Sequence, residues 1–324
     1  MLSLKEIQEI INNAIISNKF LNKPAELYEP VNYSLSSGGK RLRPSFLIMA
    51  CDMFNGNIQD AVSPALAIEL FHNFTLLHDD IMDKSPIRRG RPTVYKKWNS
   101  NRAILSGDTM FALAYEYMLK INKDILPDVL EVFNKTAIQV CEGQQYDMNF
   151  ENNINISLEN YIEMIHLKTA VLLAASLKIG AIIAKADKKD SELIYDFGIN
   201  TGIAFQLKDD LLDCFGNEKK FGKKIGNDII TNKKTFLYLK AFDLADNKTS
   251  QELNNYFNDN NLSVDKKIKL IKNIYSELKV DVHTEKTMQK YYDKALKCLD
   301  AINIDNKRKA ILKSLTDKLM DRED

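Results

Sequence analysis

Apolar residues along this chain recur at three- and four-residue intervals over long segments. Ile104, Met110, Phe111, Leu113, Tyr117 and Met118 form one such set, and Ile162, Ile165, Leu172, Leu173, Leu177 and Ile179 form another. That spacing places the apolar side chains on one face of an α-helix. The alternation of apolar and polar residues that marks a half-buried strand is nearly absent, so the fold class is all-α. From Ala170 to Ala184 apolar residues occupy most faces, which predicts a central, fully buried helix. Glycine and proline gather at joints such as Ser36-Ser37-Gly38-Gly39 and Arg89-Gly90-Arg91-Pro92. From Lys240 onward Asn, Asp and Lys increase, yet helical spacing continues through Ile268, Ile271, Ile274 and Leu278. This reads as a more exposed helical end rather than a separate domain, with Asn254 to Asn261 as a polar loop between helices.

Composition narrows the function classes. A chain of 324 residues can bury a substantial core, as one large domain or two. A net charge of +1 gives no long-range pull toward nucleic acid or an anionic membrane. Cys51, Cys141, Cys214 and Cys298 are scattered without CxxC or zinc spacing, as expected for reduced thiols in a cytoplasmic protein. The N-terminus lacks the pattern of a signal peptide, and no uninterrupted apolar run approaches the length of a membrane span.

Two segments carry the chemistry. Asp79-Asp80-Ile81-Met82-Asp83 and Asp209-Asp210-Leu211-Leu212-Asp213 share one DDxxD spacing, and each follows apolar sequence. On a helix, Asp79 stacks with Asp83 and Asp209 with Asp213. Like charges at that spacing repel, so carboxylates set in apolar surroundings call for a compensating cation. The donors are all hard oxygens with no imidazole or thiolate at matching spacing, which favours Mg2+. Mg2+ normally bridges one or two carboxylates to a substrate phosphate. Two such triplets therefore predict a diphosphate held between metal ions.

Cations cluster nearby in sequence. Gly38-Gly39-Lys40-Arg41-Leu42-Arg43 joins two glycines and three cations at a helix start, where free N–H groups favour anions and arginine grips phosphate. Arg88-Arg89-Gly90-Arg91 follows the first triplet, and Lys168, Lys223-Lys224 and Lys233-Lys234 flank the second in sequence. This is more cation than one diphosphate needs. It suits two, one bound through metal and one directly, with apolar helix faces to take hydrocarbon.

The segments GGKRLRP, LLHDDIMDKSPIRRGRPT, GQQYD, LKTA, FQLKDDLLDCFG and KKIGNDIITNKKT resemble, in order and spacing, the trans-isoprenyl diphosphate synthases of the polyprenyl synthetase family. The resemblance implies a single isoprenoid synthase domain over residues 1–324, a helical bundle around a central cavity, acting as a homodimer. It implies condensation of isopentenyl diphosphate with an allylic diphosphate, assisted by three Mg2+ ions. Asp79, Asp83 and Asp209 match the metal ligands, supported by Asp80, Asp210 and Asp213. Arg88, Lys168, Thr169, Gln206 and Lys224 match positions that hold the allylic diphosphate or its developing cation, and Lys233 matches a further diphosphate contact. Lys223 competes with Lys224 for one family lysine, and Lys224 is favoured. Lys40, Arg43, His72 and Arg89 match the isopentenyl diphosphate pocket. His78, beside the first triplet, reads as a packing or hydrogen-bonding residue rather than a general base.

Product length follows from helix geometry. Phe74, Phe71 and Ile68 lie about 7.5, 12 and 16 Å below Asp79 at helical rise. A ring at Phe74, with the small Thr75 beside it, resembles geranylgeranyl diphosphate synthases and predicts a C20 product, with C15 as the runner-up. Phe71 is either a second floor or core. A terpene cyclase or a non-catalytic partner subunit are the rival readings, the first weakened by the repeated DDxxD and the second by the retention of all six aspartates. The tail from Lys318 to Asp324 ends acidic, unlike the basic tails that close the site in some relatives, so closure by the tail is not expected.

Overall fold

The computed structural model describes residues 1–152, 156–216, 225–259 and 261–322. The fold is all-α, and the regular strands among the described residues are the two-residue pair Ile87–Arg88 and Arg91–Pro92. The chain groups into two compact units, Met1–Asn134 with Ala175–Glu192 and Ile304–Leu312, and Lys135–Ala174 with Leu193–Asn303 and Lys313–Asp324.

In the first unit, helix α1 (Leu4–Ser17) opens with a capping box. Ser3 accepts from the Glu6 N–H, and the Glu6 carboxylate accepts from the Ser3 N–H. α2 (Ala25–Leu35) and α3 (Leu42–Met53) lead to α4 (Ile58–Met82), which Asn57 caps by accepting from the Gln59 N–H. α4 is buried on nearly every side from Ala65 to Phe71 and packs on α3 and on α6 (Ser100–Met118). The apolar set assigned to α6 from its large residues is corrected here. Met110, Tyr117 and Met118 are buried, but Ile104 is 42 % exposed, and Ala103, Ser106, Gly107 and Ala114 complete the inner face. Close packing on α4 selects small side chains that a count of large apolar residues overlooks.

In the second unit, α8 (Leu158–Ile165) passes into a π-helical turn (His166–Ala170) and then the start of α9 (Val171–Ile183). From Lys240 onward the chain is the more exposed helical end expected of it, and its apolar faces also close a packed core with the start of the preceding helix. Leu237, Ala241, Leu253, Phe257, Ile271 and Tyr275 are buried together, on the helices Phe236–Leu244, Asn247–Asn258 and Val264–Glu277. The loop expected over Asn254 to Asn261 is therefore helix as far as Asn258. Leu253 and Phe257 stand four apart and anchor it, and Asn258 Nδ2 donates to the Asn254 carbonyl.

The buried helix expected over Ala170 to Ala184 is found at Val171–Ile183, where Val171, Ala174, Leu177 and Ile179 are fully buried. The helical stretch Leu158–Ile183 is long and apolar enough by length and composition to cross a membrane, and 72 % of its most apolar window is buried within the protein. Glu159, Glu163, Lys168 and Lys178 interrupt it, which is why no continuous apolar run of that length is visible in the sequence.

Candidate active site

Both aspartate motifs fall at helix C-terminal ends. Asp79 and Asp80 lie in the last turn of α4 and Asp83 is its C-cap, its N–H donating to the Asp79 carbonyl at 2.8 Å. Asp209, Asp210 and Asp213 lie in the last two turns of α10 (Lys188–Phe215). A helix C-terminus carries partial negative charge, so carboxylates there add to it and attract cations.

The first unit separates the three aspartates by environment. Asp80 is 4 % exposed and accepts from Arg88 Nε at 2.7 Å. Burial pushes its carboxyl up, against the pull of Arg88. Asp83 is exposed and Asp79 half-buried. Among the described residues no three His, Cys, Asp or Glu side chains converge as a metal cage. An all-oxygen donor pair that leaves coordination to be completed by substrate and water fits Mg2+.

The cations expected for isopentenyl diphosphate gather in the same unit. Gly38 and Gly39 take positive φ, and Arg41, in the left-handed region, leads into α3. Arg41 is not available to a ligand. It is buried, paired with Glu69, and donates to the Leu35 carbonyl at 2.6 Å. Arg43 Nη1 meets His72 Nε2 at 3.2 Å. Burial, together with Arg43 and Arg89, holds the His72 pKa well below its ordinary value, so Nε2 accepts and the ring is neutral. Burial also lowers Arg43 to about 10, which leaves it charged at neutral pH. Arg89 donates to the Gly38 carbonyl, and Lys40 is exposed. Arg89 and Gly90, both at positive φ, form the two-residue turn of the strand pair, the type expected for a tight hairpin.

Below the first motif is a wall of rings. Phe74 stacks on Phe111 at 5.1 Å and 23°, and meets the His78 ring at 4.8 Å. Phe71 is fully buried against Phe74, Phe111 and Phe133, which makes it core. Thr75 Oγ1 donates to the His72 carbonyl at 2.8 Å. His78 Nε2 lies 3.3 Å from the Ile104 carbonyl and 3.7 Å from Asp108, in keeping with packing and hydrogen bonding.

The second unit is organised around the π turn that carries Lys168 and Thr169. Two glycines let neighbouring helices approach it. A Cβ on Gly143 of α7 (Leu126–Asn152) would strike the Lys168 backbone nitrogen, and one on Gly202 of α10 would lie 2.6 Å from the Ala170 Cα. Gly143→Ala is expected to destabilise the protein by about 1–3 kcal/mol. Urea denaturation checks this, and an unchanged midpoint would contradict the packing.

Lys168 Nζ donates to Asp147 Oδ2 at 2.7 Å, and Lys233 Nζ lies 3.7 Å from the same oxygen. Burial pushes the Asp147 carboxyl up, but Lys233 and Lys168 more than offset this and hold it below its ordinary value. A second relay runs from Thr169 Oγ1 to Gln206 Oε1 at 3.3 Å, and from Gln206 Nε2 to Asp210 Oδ1 at 3.1 Å. Asp210 Oδ2 accepts from the Tyr161 hydroxyl at 2.5 Å. Asp213 accepts from the Asp228 N–H at 3.0 Å. Asp210 and Asp213 are thus buried and bound within the protein, whereas the Asp209 side chain is 34 % exposed, against Arg322.

Burial, reinforced by Asp228, raises Asp210 to about 7. Between the ordinary carboxylate value near 4 and about 7, the folded state holds a proton that the unfolded state has lost, so this contribution to stability falls as pH rises across that window. In chelator, Asp210→Asn should flatten the decline in stability between about pH 4 and 7. An unchanged slope would contradict this assignment.

Asp147 and Tyr161 were not singled out from the sequence. Asp147 closes the GQQYD segment, but its two lysine partners lie 21 and 86 residues further on, so no local spacing pointed to it. Arg322 was passed over within an acidic tail, yet it pairs with Asp209 and stands 4.4 Å from the Phe205 ring centre. Lys223 and Lys224 lie outside the described residues.

The profile of the family described as Polyprenyl synthetase matches residues 24–276. The geranylgeranyl diphosphate synthase of Methanosarcina mazei is 41 % identical over 225 residues, 69 % of this chain and 69 % of its own length. That of Sulfolobus acidocaldarius is 42 % identical over 243 residues, 73 % of this chain and 74 % of its own. Among solved structures, a geranylgeranyl pyrophosphate synthase covers 100 % of both chains with a TM-score of 0.95 and 42 % identity. The geranylgeranyl pyrophosphate synthetase of Pyrococcus horikoshii Ot3 covers 98 % of this chain and 97 % of its own, with a TM-score of 0.92 and 34 % identity.

Proposed function

We propose, from the premise that this chain belongs to the polyprenyl synthetase family, that it condenses isopentenyl diphosphate with an allylic diphosphate to give geranylgeranyl diphosphate. The observation that carries the reading is the matched pair of DDxxD motifs, each at a helix C-terminal end where negative charge accumulates. Mg2+, when bound, supplies charge neutralisation of the departing diphosphate. In the first unit Asp79 and Asp83 would hold it, with Asp80 orienting its neighbours, and in the second Asp209 would do so, with Asp210 and Asp213 in support. The family resemblance assigns the allylic diphosphate to Arg88 in the first unit and to Lys168, Lys233 and Lys224 in the second. Asp147 positions Lys168 and Lys233 by holding both ammonium groups in place. Lys40, Arg43, His72 and Arg89 bind isopentenyl diphosphate.

The Thr169 hydroxyl and the Gln206 amide oxygen face the allylic cation with oxygen dipoles too weakly nucleophilic to trap it. Water must be excluded, because it would quench the cation to an alcohol. The isopentenyl double bond attacks the cation, and released diphosphate takes the final proton, so no side-chain base is required. Residues 1–324 act as one catalytic domain in a cytoplasmic homodimer. The four free cysteines support the compartment, and Ile104 and Leu105, 42 % and 59 % exposed on α6, support a partner copy.

Purified protein with Mg2+, isopentenyl diphosphate and farnesyl diphosphate should release diphosphate and form one new carbon–carbon bond per turnover, and chelator should abolish both. Turnover undiminished in chelator would overturn the metal assignment.

A further inference from the structure

A groove of ≈ 1010 Å³ opens in the first unit beside α1, α2 and the short helix α5 (Val94–Lys97). Ile15 and Ile16 of α1, Leu35 of α2 and the rings of Tyr33 and Trp98 form apolar walls, the two rings meeting edge to face at 5.3 Å. Ile16 is 64 % exposed. The rim is cationic. Lys97 Nζ stands 4.3 Å from the Tyr33 ring centre and 4.9 Å from that of Trp98, and Arg91 lies 4.0 Å over Tyr33. Lys19 also lines the groove, and Glu29 is the one carboxylate to do so. An apolar trough with cations at its edge complements a hydrocarbon chain ending in an anion, and its volume is that of pockets that enclose such molecules.

The groove also touches the loop that leads to the isopentenyl diphosphate cations. Gly38 lines it at φ +76°, and the carbonyl of that residue accepts from Arg89. Lys40 and Arg43 follow within five residues. An occupant that shifts Gly38 therefore acts on the anchor of Arg89.

We propose that this groove is a second site for the long-chain prenyl diphosphate that the enzyme releases, with the tail along Ile15, Ile16 and Leu35 and the diphosphate at Lys97 and Lys19, and that occupation weakens isopentenyl diphosphate binding through the Gly38 loop. The choice of ligand rests on the C20 reading above. Among anionic amphiphiles, this is the one the enzyme produces in its own surroundings.

Trp98 is the chain's single tryptophan, so its fluorescence reports on this groove. Geranylgeranyl diphosphate titrated in chelator, which removes metal-dependent binding at the aspartates, should give a saturable change. Ile16→Asp and Lys97→Ala, both at exposed positions, should weaken it by about tenfold or more, and Asp209→Ala should leave it intact. In steady state, added product should raise the KM for isopentenyl diphosphate less in Ile16→Asp than in the parent.

No saturable change up to about 100 µM overturns the proposal. So does a change that survives both groove variants or vanishes in Asp209→Ala, since it would then report the aspartate site. An equal response to myristate marks general adsorption of amphiphiles, and a response to protein concentration alone marks a second copy of the chain. Either result also overturns it. Because the titration uses geranylgeranyl diphosphate directly, it is read separately from any assay of which chain length the enzyme makes.

Discussion

Asp79→Ala is expected to lower kcat by about 10³-fold or more while the protein stays folded. Asp79 is half-buried at the end of α4, and removing it takes away one of two stacked oxygen donors where the helix terminus already concentrates negative charge. Relief of like-charge repulsion is set against lost attraction to Arg43, so stability should change little. Asp80→Ala makes the informative contrast. Asp80 is buried against Arg88, so its loss strands the arginine and should cost stability as well as rate. Thermal unfolding set beside steady-state rates separates the two variants. If Asp79→Ala retained more than about a tenth of parental kcat, Asp79 would not be a ligand in the ionising step.

Phe74→Ala should move the product from C20 toward C25. Phe74 stacks on Phe111 beneath the first motif, five residues before Asp79 and so about 7.5 Å below it. The next ring on the same helix, Phe71, lies about 4.5 Å further down, and Phe111 and Phe133 still hold it once Phe74 is removed. Removing Phe74 thus opens depth for about one further five-carbon unit above that core ring. Losing this half-buried ring should cost about 1–3 kcal/mol, so the product spectrum should be read below the variant's unfolding temperature. An unchanged spectrum from folded Phe74→Ala would remove Phe74 as the floor.

Much of this was legible in the chain before any coordinates. Helical spacing gave the fold class, and the repeated DDxxD gave two carboxylate clusters. Arg43 and His72, linked in the sequence only by the resemblance, are in contact. Other features were hidden for identifiable reasons. The inner face of α6 is built from Ala103, Ser106, Gly107 and Ala114, whose small size serves close packing and leaves a weak apolar signal. The π turn under Lys168 depends on room provided by Gly143 and Gly202, distant in sequence. Asp147 and Tyr161 act through partners 21 and 49 residues away, beyond any local pattern. Arg41 looked like one of three ligand cations, but its pairing with buried Glu69 is a long-range contact that spacing does not reveal. The difference between Asp79 and Asp80 likewise required knowing which of two adjacent carboxylates turns inward.

Mass spectrometry of the products formed by purified protein with Mg2+, isopentenyl diphosphate and, in turn, dimethylallyl, geranyl and farnesyl diphosphate tests the central claim most directly. The account predicts that geranylgeranyl diphosphate accumulates from every primer that is accepted. A product that stops at C15 would place the barrier above Phe74, and no condensation with any primer would contradict the assigned reaction itself.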